Sequence, residues 1–108
     1  MGSYEEKITI KSWAEEDRPR EKLAQQGRRV LSDAELIAIL IGSGSPSETA
    51  VELSKRILYC CENDLNQLGK LSIQELSKFK GIGEAKAITI IAALELGRRR
   101  REATSVTL

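Results

Sequence analysis

The stretch Phe79-Lys80-Gly81-Ile82-Gly83-Glu84-Ala85-Lys86-Ala87 decides how this 108-residue chain is interpreted. Apolar residues at helical spacing precede and follow it, so the two glycines are predicted to form a tight turn between two helices. Glycine at both positions permits backbone angles that are closed to other residues. Ile82, between them, is expected to fill the groove between the helices. The turn then points backbone N–H groups outward, beside the positive end of the helix that starts at Glu84.

Outward N–H groups beside a helix start form a binding site for an anion. Lys80 and Lys86 flank the turn and add positive charges for a phosphate group. We therefore predict a phosphate site made of Lys80, Gly81, Ile82, Gly83 and Lys86. Glu84 favours the helix start, but its negative charge lies where a phosphate approaches and weakens binding there.

Signals for helix starts recur upstream of this turn. Asp17 is placed to cap a helix that has Pro19 in its first turn and ends at Gly27. A capping box pairs a Ser hydroxyl with a Glu three residues later, each accepting a backbone N–H of the other. Three boxes are predicted: Ser32 with Glu35, Ser45 with Glu48, and Ser72 with Glu75.

The helical pattern predicts an all-α fold, a compact bundle of about five helices with a short extended N-terminal arm. The helices are expected over Asp17 to Gly27, Ser32 to Ile41, Pro46 to about Cys61, Leu65 to Leu68, Ser72 to Phe79, and Glu84 to about Arg100. The predicted limits are residues 1–13 for the arm, 14–101 for the helical domain and 102–108 for the frayed start of a linker. Trp13 is expected to anchor the arm to the helical domain.

The pattern L-S-x-x-E-L occurs twice, at Leu31–Leu36 and at Leu71–Leu76, and each copy leads to a G-x-G and a new helix. This repeat predicts two helix-hairpin-helix units packed face to face by pseudo-two-fold symmetry. In the first hairpin Ser43 replaces the apolar residue, and no lysine or arginine follows closely. We interpret that hairpin as structural, and retain Gly42, Ser43 and Gly44 as secondary phosphate candidates.

Arg98 and Arg99 are further secondary candidates, within the basic run that ends the last helix. They lie about 22 Å from Glu84 along a helix that rises 1.5 Å per residue. They reach another phosphate only if DNA runs along that helix. The favoured alternative is that these cations interact with the carboxyl end of their own helix.

Composition excludes several classes of protein. The net charge of +1 is too small for coating nucleic acid by bulk electrostatics. Histidine is absent and the two cysteines, Cys60 and Cys61, are adjacent, so no metal site, cofactor or disulfide framework is expected. No stretch is long enough to span a membrane and no signal peptide is recognisable, so the expected location is the reducing cytoplasm.

The stretch around Gly81-Ile82-Gly83 resembles the helix-hairpin-helix DNA-binding motif. A longer set of segments resembles the N-terminal domain of the bacterial RadC family, of the UPF0758 type: Trp13 to Leu23, Leu31 to Leu36, Ile41 to Gly44, and Ala93 to Arg99. This resemblance covers roughly Ile10 to Arg100. It implies a DNA-repair-associated protein that continues into a C-terminal domain similar to JAB/MPN metalloproteases, whose His-and-Asp zinc site lies outside these residues.

The leading functional hypothesis is sequence-independent binding of duplex or branched DNA through phosphate contacts. The rival hypothesis is an adaptor for protein interactions or an architectural module for the C-terminal domain, without direct DNA contact. Near-neutral charge and a single well-formed phosphate site support the rival. An enzyme is the weakest class, because the chain has no histidine, no G-x-S-x-G and no phosphate-loop motif.

Overall fold

The structure, a computed structural model, describes residues 18–106, with side chains as far as residue 103. Six α-helices occur in this range: α1 (Pro19–Gln26), α2 (Asp33–Ile41), α3 (Ala50–Cys60), α4 (Leu65–Gly69), α5 (Ile73–Ser77) and α6 (Glu84–Val106). A short 3-10 turn, Arg28–Val30, lies between α1 and α2. The all-α class expected from the sequence is confirmed. The N-terminal arm, Trp13 and Asp17 lie outside the described residues.

The chain divides into two compact units, residues 1–56 and 57–108, with the boundary inside α3. Each unit is described by itself. The predicted domain limits and the pseudo-two-fold packing of the two hairpins stay predictions. α6 is longer than expected, because the helix continues past Arg100 to Val106.

In the first unit, α1 packs on α2, and two basic side chains of α1 bond to α2. The Lys22 ammonium lies 2.9 Å from a Glu35 carboxylate oxygen, and the Arg20 guanidinium donates to the Ile39 carbonyl at 3.4 Å. The buried side of α2 follows the i, i+3, i+4, i+7 spacing of an amphipathic helix: Ala34, Ile37, Ala38 and Ile41. The helix is not buried on every side, since Leu36 is 38% exposed.

Two of the three predicted capping boxes are confirmed, those of Ser32 with Glu35 and of Ser72 with Glu75. The third is wrong. The Ser45 and Glu48 backbones bond to each other around a turn, at 2.7 and 3.2 Å, and Pro46 fits the second position of that turn. The box forms four residues later. The Thr49 amide donates to the Glu52 carboxylate at 2.9 Å, and the Glu52 amide donates to Thr49 Oγ1 at 3.0 Å.

The predicted start of the first helix also needs correction. Arg18, not Asp17, occupies the N-cap position, and its side chain makes no capping hydrogen bond. Pro19 is the first helical residue, where its missing N–H is no loss. Gly27 ends α1 with a φ of 91°, a left-handed value that glycine adopts without strain.

In the second unit, α5 and the short α4 pack against the first half of α6. Ala87 and Ile90 are fully buried, whereas Ile88 is 46% exposed and Ala92 is also exposed. Apolar residues occur on two sides of this helix, so periodicity alone does not say which side α5 covers.

The Glu35 carboxylate gives the first unit a pH-dependent stability. The N–H of Ser32, and then the Lys22 ammonium, lower the pKa of Glu35 from its ordinary value near 4.5. A lowered folded-state pKa contributes stability above pH 4.5, and that contribution is lost as the pH falls through the folded value. We predict that Glu35→Gln, which keeps the capping box but removes the charge, costs about 0.5–1 kcal/mol at neutral pH.

Urea unfolding across pH 2–7 measures this effect. The variant should lose less stability than wild type below pH 4.5. Glu21→Gln is the control, because the Glu21 pair with Arg18 is longer, at 3.5 Å, and well exposed. Parallel pH curves for wild type and Glu35→Gln would contradict the assignment.

The end of α3 stores backbone strain. Glu62 and Asn63 both adopt left-handed φ angles, 57° and 55°, and the Asn63 amide donates back to the Leu58 carbonyl at 2.7 Å. Asparagine tolerates this region, but glutamate pays about 1–2 kcal/mol. Glycine avoids that strain at some cost in unfolded-state entropy.

We predict that Glu62→Gly raises the free energy of unfolding by about 0.5–1 kcal/mol, as measured by chemical denaturation. Glu62→Ala removes the same charge but keeps Cβ, and should give no gain. Equal stabilities of the glycine and alanine variants would show that this turn is not strained.

Candidate functional site

The second hairpin connects α5 to α6. The amides of Lys78 and Phe79 continue the turn of α5 by donating to carbonyls at 3.3 and 3.1 Å. Gly81 then adopts a φ of 97°, which a residue with Cβ rarely accepts. Ile82 is only 4% exposed, so the prediction that its side chain fills the groove is confirmed.

The backbone N–H groups of this hairpin do not all point outward. The Ile82 amide donates to the Phe79 carbonyl at 3.0 Å, which removes it from the predicted phosphate donors. This bond closes a four-residue turn from Phe79 to Ile82. Within residues 18–106, the amides of Gly81 and Gly83 have no hydrogen-bond acceptor.

Gly83 differs from Gly81 in a way that the sequence did not reveal. Its φ lies outside the left-handed region, and a Cβ built on it meets no atom within 4 Å. The expectation that both glycines are needed for backbone angles is therefore wrong for Gly83. The Gly83 carbonyl accepts the Ala87 amide at 3.0 Å, so Gly83 is the N-cap of α6 and offers no capping side chain.

Two lysines, Lys80 and Lys86, flank the start of α6. Lys86 Nζ lies 3.4 Å from the Gly81 carbonyl, so its ammonium group stands at the hairpin. Lys80 and Glu84 are exposed on either side. Of the five predicted phosphate ligands, Ile82 has its amide satisfied within the hairpin, and the ammonium group of Lys86 lies beside the Gly81 carbonyl. The phosphate site of Lys80, Gly81, Gly83 and Lys86 stays a prediction.

The first hairpin has a different use for its glycines. Gly42 ends α2 with a φ of 88°. A Cβ on Gly44 would collide with the Glu48 carbonyl oxygen and lie 2.6 and 2.7 Å from backbone atoms of Thr49 and Ala50. These are requirements of packing. The predicted structural role of this hairpin therefore has a physical basis, although phosphate binding by Gly42, Ser43 and Gly44 stays untested.

The helix that follows the first hairpin is already capped. The Glu52 carboxylate accepts the Thr49 amide, so a negative group of the protein holds the place where an anion would bind. Sequence reasoning missed one cation there. The Arg20 guanidinium, from α1, lies 3.7 Å from a Cβ placed on Gly42, but it donates to the Ile39 carbonyl. Only the tertiary fold brings a residue 22 positions away in sequence to that turn.

Arg98 and Arg99 are engaged within their own helix. Both bond the Glu95 carboxylate, at 2.8 and 3.0 Å, and Arg98 also bonds Glu102 at 2.7 Å. These hydrogen bonds lower the pKa of Glu95 to about 2. The expectation that these arginines interact with the carboxyl end of the helix is wrong, because α6 continues to Val106 and its last turn holds no basic residue. They pair instead with acidic side chains about one helical turn away.

Other chemistry has little support among residues 18–106. Cys60 is exposed and Cys61 is buried, and burial raises the pKa of the Cys61 thiol. In the same range, no three cysteine or acidic side chains cluster to hold a metal ion. None of the described helices combines the length and the apolar character that a membrane crossing requires.

Comparison with known proteins places this geometry in a family. The model of the UPF0758 N-terminal family matches residues 10–88. The chain belongs to the UPF0758 N-terminal family. This confirms the relationship to RadC-like proteins that the sequence suggested. No solved structure matches the chain.

Similar proteins come from several bacteria. The UPF0758 protein of Flavobacterium johnsoniae is 65% identical over 94 residues, which cover 87% of this chain and 41% of that protein. The UPF0758 protein of Porphyromonas gingivalis is 54% identical over 93 residues, covering 85% and 41%. That of Carboxydothermus hydrogenoformans is 48% identical over 95 residues, covering 88% and 42%. The chain thus spans about two fifths of the length of the curated relatives it matches.

Gly44 and Gly83, one from each hairpin, should differ in how strongly an alanine substitution destabilises the fold. Gly44→Ala is expected to lower the free energy of unfolding by about 1–3 kcal/mol, because the added methyl group overpacks against backbone. Gly83→Ala should change stability by less than about 1 kcal/mol, since the fold leaves the space open. Thermal or urea unfolding of the two variants measures the contrast. A Gly83→Ala variant as unstable as Gly44→Ala would show that the second hairpin is packed like the first.

Proposed function

We propose that this domain binds the phosphate backbone of duplex or branched DNA without reading its sequence. The ligands are the amides of Gly81 and Gly83 with the ammonium groups of Lys80 and Lys86. One observation carries the proposal. The start of α6 has a glycine where a capping side chain would stand, and the Gly83, Glu84 and Ala85 amides have no acceptor within the described residues.

The chemistry of this start suits a sugar-phosphate strand. Backbone N–H groups at a helix start bind anionic oxygen, and lysine adds a charge that needs no fixed direction. The absence of a side chain on Gly83 lets a phosphate approach the amides closely. Such contacts position a protein on DNA but carry no sequence information. Glu84 opposes the anion, so the proposed binding is weak at each site.

The wider setting is part of the same proposal. The chain acts in the cytoplasm as a non-catalytic domain of a longer RadC-like, DNA-repair-associated protein. The rest of that protein is the C-terminal JAB/MPN-like domain implied by the resemblance. The names of the relatives state no activity, so this setting is inferred from the hairpin and the resemblance.

Gly83→Ser tests the proposal because it should move stability and DNA binding in opposite directions. A serine at the N-cap accepts an amide of the first turn, which stabilises the helix by a few tenths of a kcal/mol. The same side chain occupies the amides that the phosphate needs. We expect fluorescence anisotropy with duplex DNA to show binding at least fivefold weaker, about 1 kcal/mol.

Gly97→Ser is the matched control: the same change in the same helix, about 21 Å away, at a glycine that also has no neighbour within 4 Å. It should leave DNA affinity unchanged. Lys86→Gln should lower the slope of log affinity against log salt by about 1, because one phosphate contact is lost. Lys55→Gln, an exposed cation outside the hairpin, should not.

The result that would overturn the proposal is DNA affinity, at any salt concentration, that is the same for wild type, Gly83→Ser and Lys86→Gln. The adaptor hypothesis predicts that outcome. It also predicts that the rest of a longer relative, supplied as a separate chain, binds this domain.

A further inference from the structure

The two halves of α6 have different environments. In the first half, Ala87 and Ile90 are fully buried, and Ile91 and Leu94 are half-buried. From Leu96 to residue 103 every side chain is exposed, with Leu96 itself at 69%. From here on, the arm means residues 98–106, which are distinct from the N-terminal arm of residues 1–13. A helix of this length has marginal stability in water when no tertiary packing supports it.

Gly97 lies at the junction between the packed half and the arm. Its φ is not left-handed and a Cβ would meet no atom within 4 Å, so neither backbone angle nor packing requires glycine there. Glycine within a helix favours unfolding because it has the most backbone freedom to regain. The helix is therefore intrinsically weakest where its packing ends.

One carboxylate ties the two sides of Gly97 together. Glu95 precedes the glycine and bonds Arg98 at 2.8 Å and Arg99 at 3.0 Å, both of which follow it. Arg98 in turn bonds Glu102 at 2.7 Å, a pair that lies wholly within the arm. The low pKa of Glu95, about 2, agrees with an ionised group held by two guanidinium groups.

We propose that Gly97 is a hinge in α6 and that Glu95 is its latch. The arm unfolds and reorients about Gly97 while the first half of the helix stays packed. The ion pairs of Glu95 hold the helix continuous across the glycine. The hinge sets the direction in which any chain that follows the arm leaves the domain. The inference does not depend on DNA binding.

Amide hydrogen exchange of this chain, followed residue by residue by NMR, tests the hinge directly. In an α-helix the amides of Arg98 to Arg101 donate to carbonyls of residues 94–97, so these hydrogen bonds span the junction. We expect them to exchange much faster than the amide of Ile90, by at least tenfold.

Glu95→Gln tests the latch. It should accelerate exchange of the Arg98–Arg101 amides a further two- to fivefold, roughly the contribution of one i, i+3 and one i, i+4 ion pair. Salt at 1 M should act like this variant, because the pairs are exposed.

Glu102→Gln is the matched control. It removes a carboxylate that also pairs with Arg98, but this pair lies wholly on one side of Gly97. Its effect on the Arg98–Arg101 amides should be clearly smaller than that of Glu95→Gln. Gly97→Ala should slow the same amides roughly two- to fivefold. Exchange at Ile90 verifies that every variant keeps its fold. Arm amides as protected as Ile90 would overturn the hinge. Equal effects of the two glutamate variants would overturn the latch.

Discussion

A helix leaves the N–H groups of its first turn without partners, and this requirement governs most of what the chain does. At α2, α3 and α5 a hydroxyl and a carboxylate satisfy the start reciprocally, and at α4 the Asp64 side chain accepts the Asn66 amide at 2.9 Å. Alone among the starts of α2 to α6, that of α6 has glycine in place of a capping side chain. The start of α6 therefore lacks the stabilisation that a capping side chain provides at the other helices, and its first amides stay available as donors.

This difference separates two hairpins that look alike in sequence. Each follows an L-S-x-x-E-L segment and each contains G-x-G, so a pattern search treats them as equivalent. In the first, the glycines serve close packing, and the Glu52 carboxylate occupies the next helix start. In the second, Gly81 adopts the left-handed angle that the turn needs, whereas neither backbone angle nor packing requires glycine at position 83. The proposed phosphate contact requires such a bare position.

The sequence predicted the local features of the fold well. Capping boxes at Ser32 and Ser72, the left-handed end at Gly27 and the buried Ile82 all depend on residues within a few positions of one another. Local chemistry also misled. Ser45, Pro46 and Glu48 satisfy the pattern of a capped helix, yet the same residues suit a tight turn, and Thr49 with Glu52 provided a second capping box. The structure has the turn at Ser45–Glu48, and in it Gly44 packs against the backbone at Glu48.

Features that depend on distant residues were not predictable from the pattern. Which side of α6 is buried is decided by α5 and α4, and Arg20 reaches Gly42 only because α1 packs on α2. The candidate site fell between these cases. Its residues were found, because they are contiguous, but the satisfied amide of Ile82 was missed. Ile82 is buried and its amide is hydrogen-bonded within the turn, and the spacing of residues in the sequence does not predict that hydrogen bond.

α6 combines two demands that a uniform helix does not meet. Fixed amide donors require a start held rigidly by packing, which Ile82 and Ala87 supply at one end. A change of direction requires a point where packing has ceased, which Gly97 supplies about 21 Å away. Both glycines lower helix stability relative to residues that the fold would accept. The first loses a cap and exposes donors, and the second weakens the helix only beyond the core. Because the packed turns between them separate the two effects, the arm can move without disturbing the amides at the hairpin.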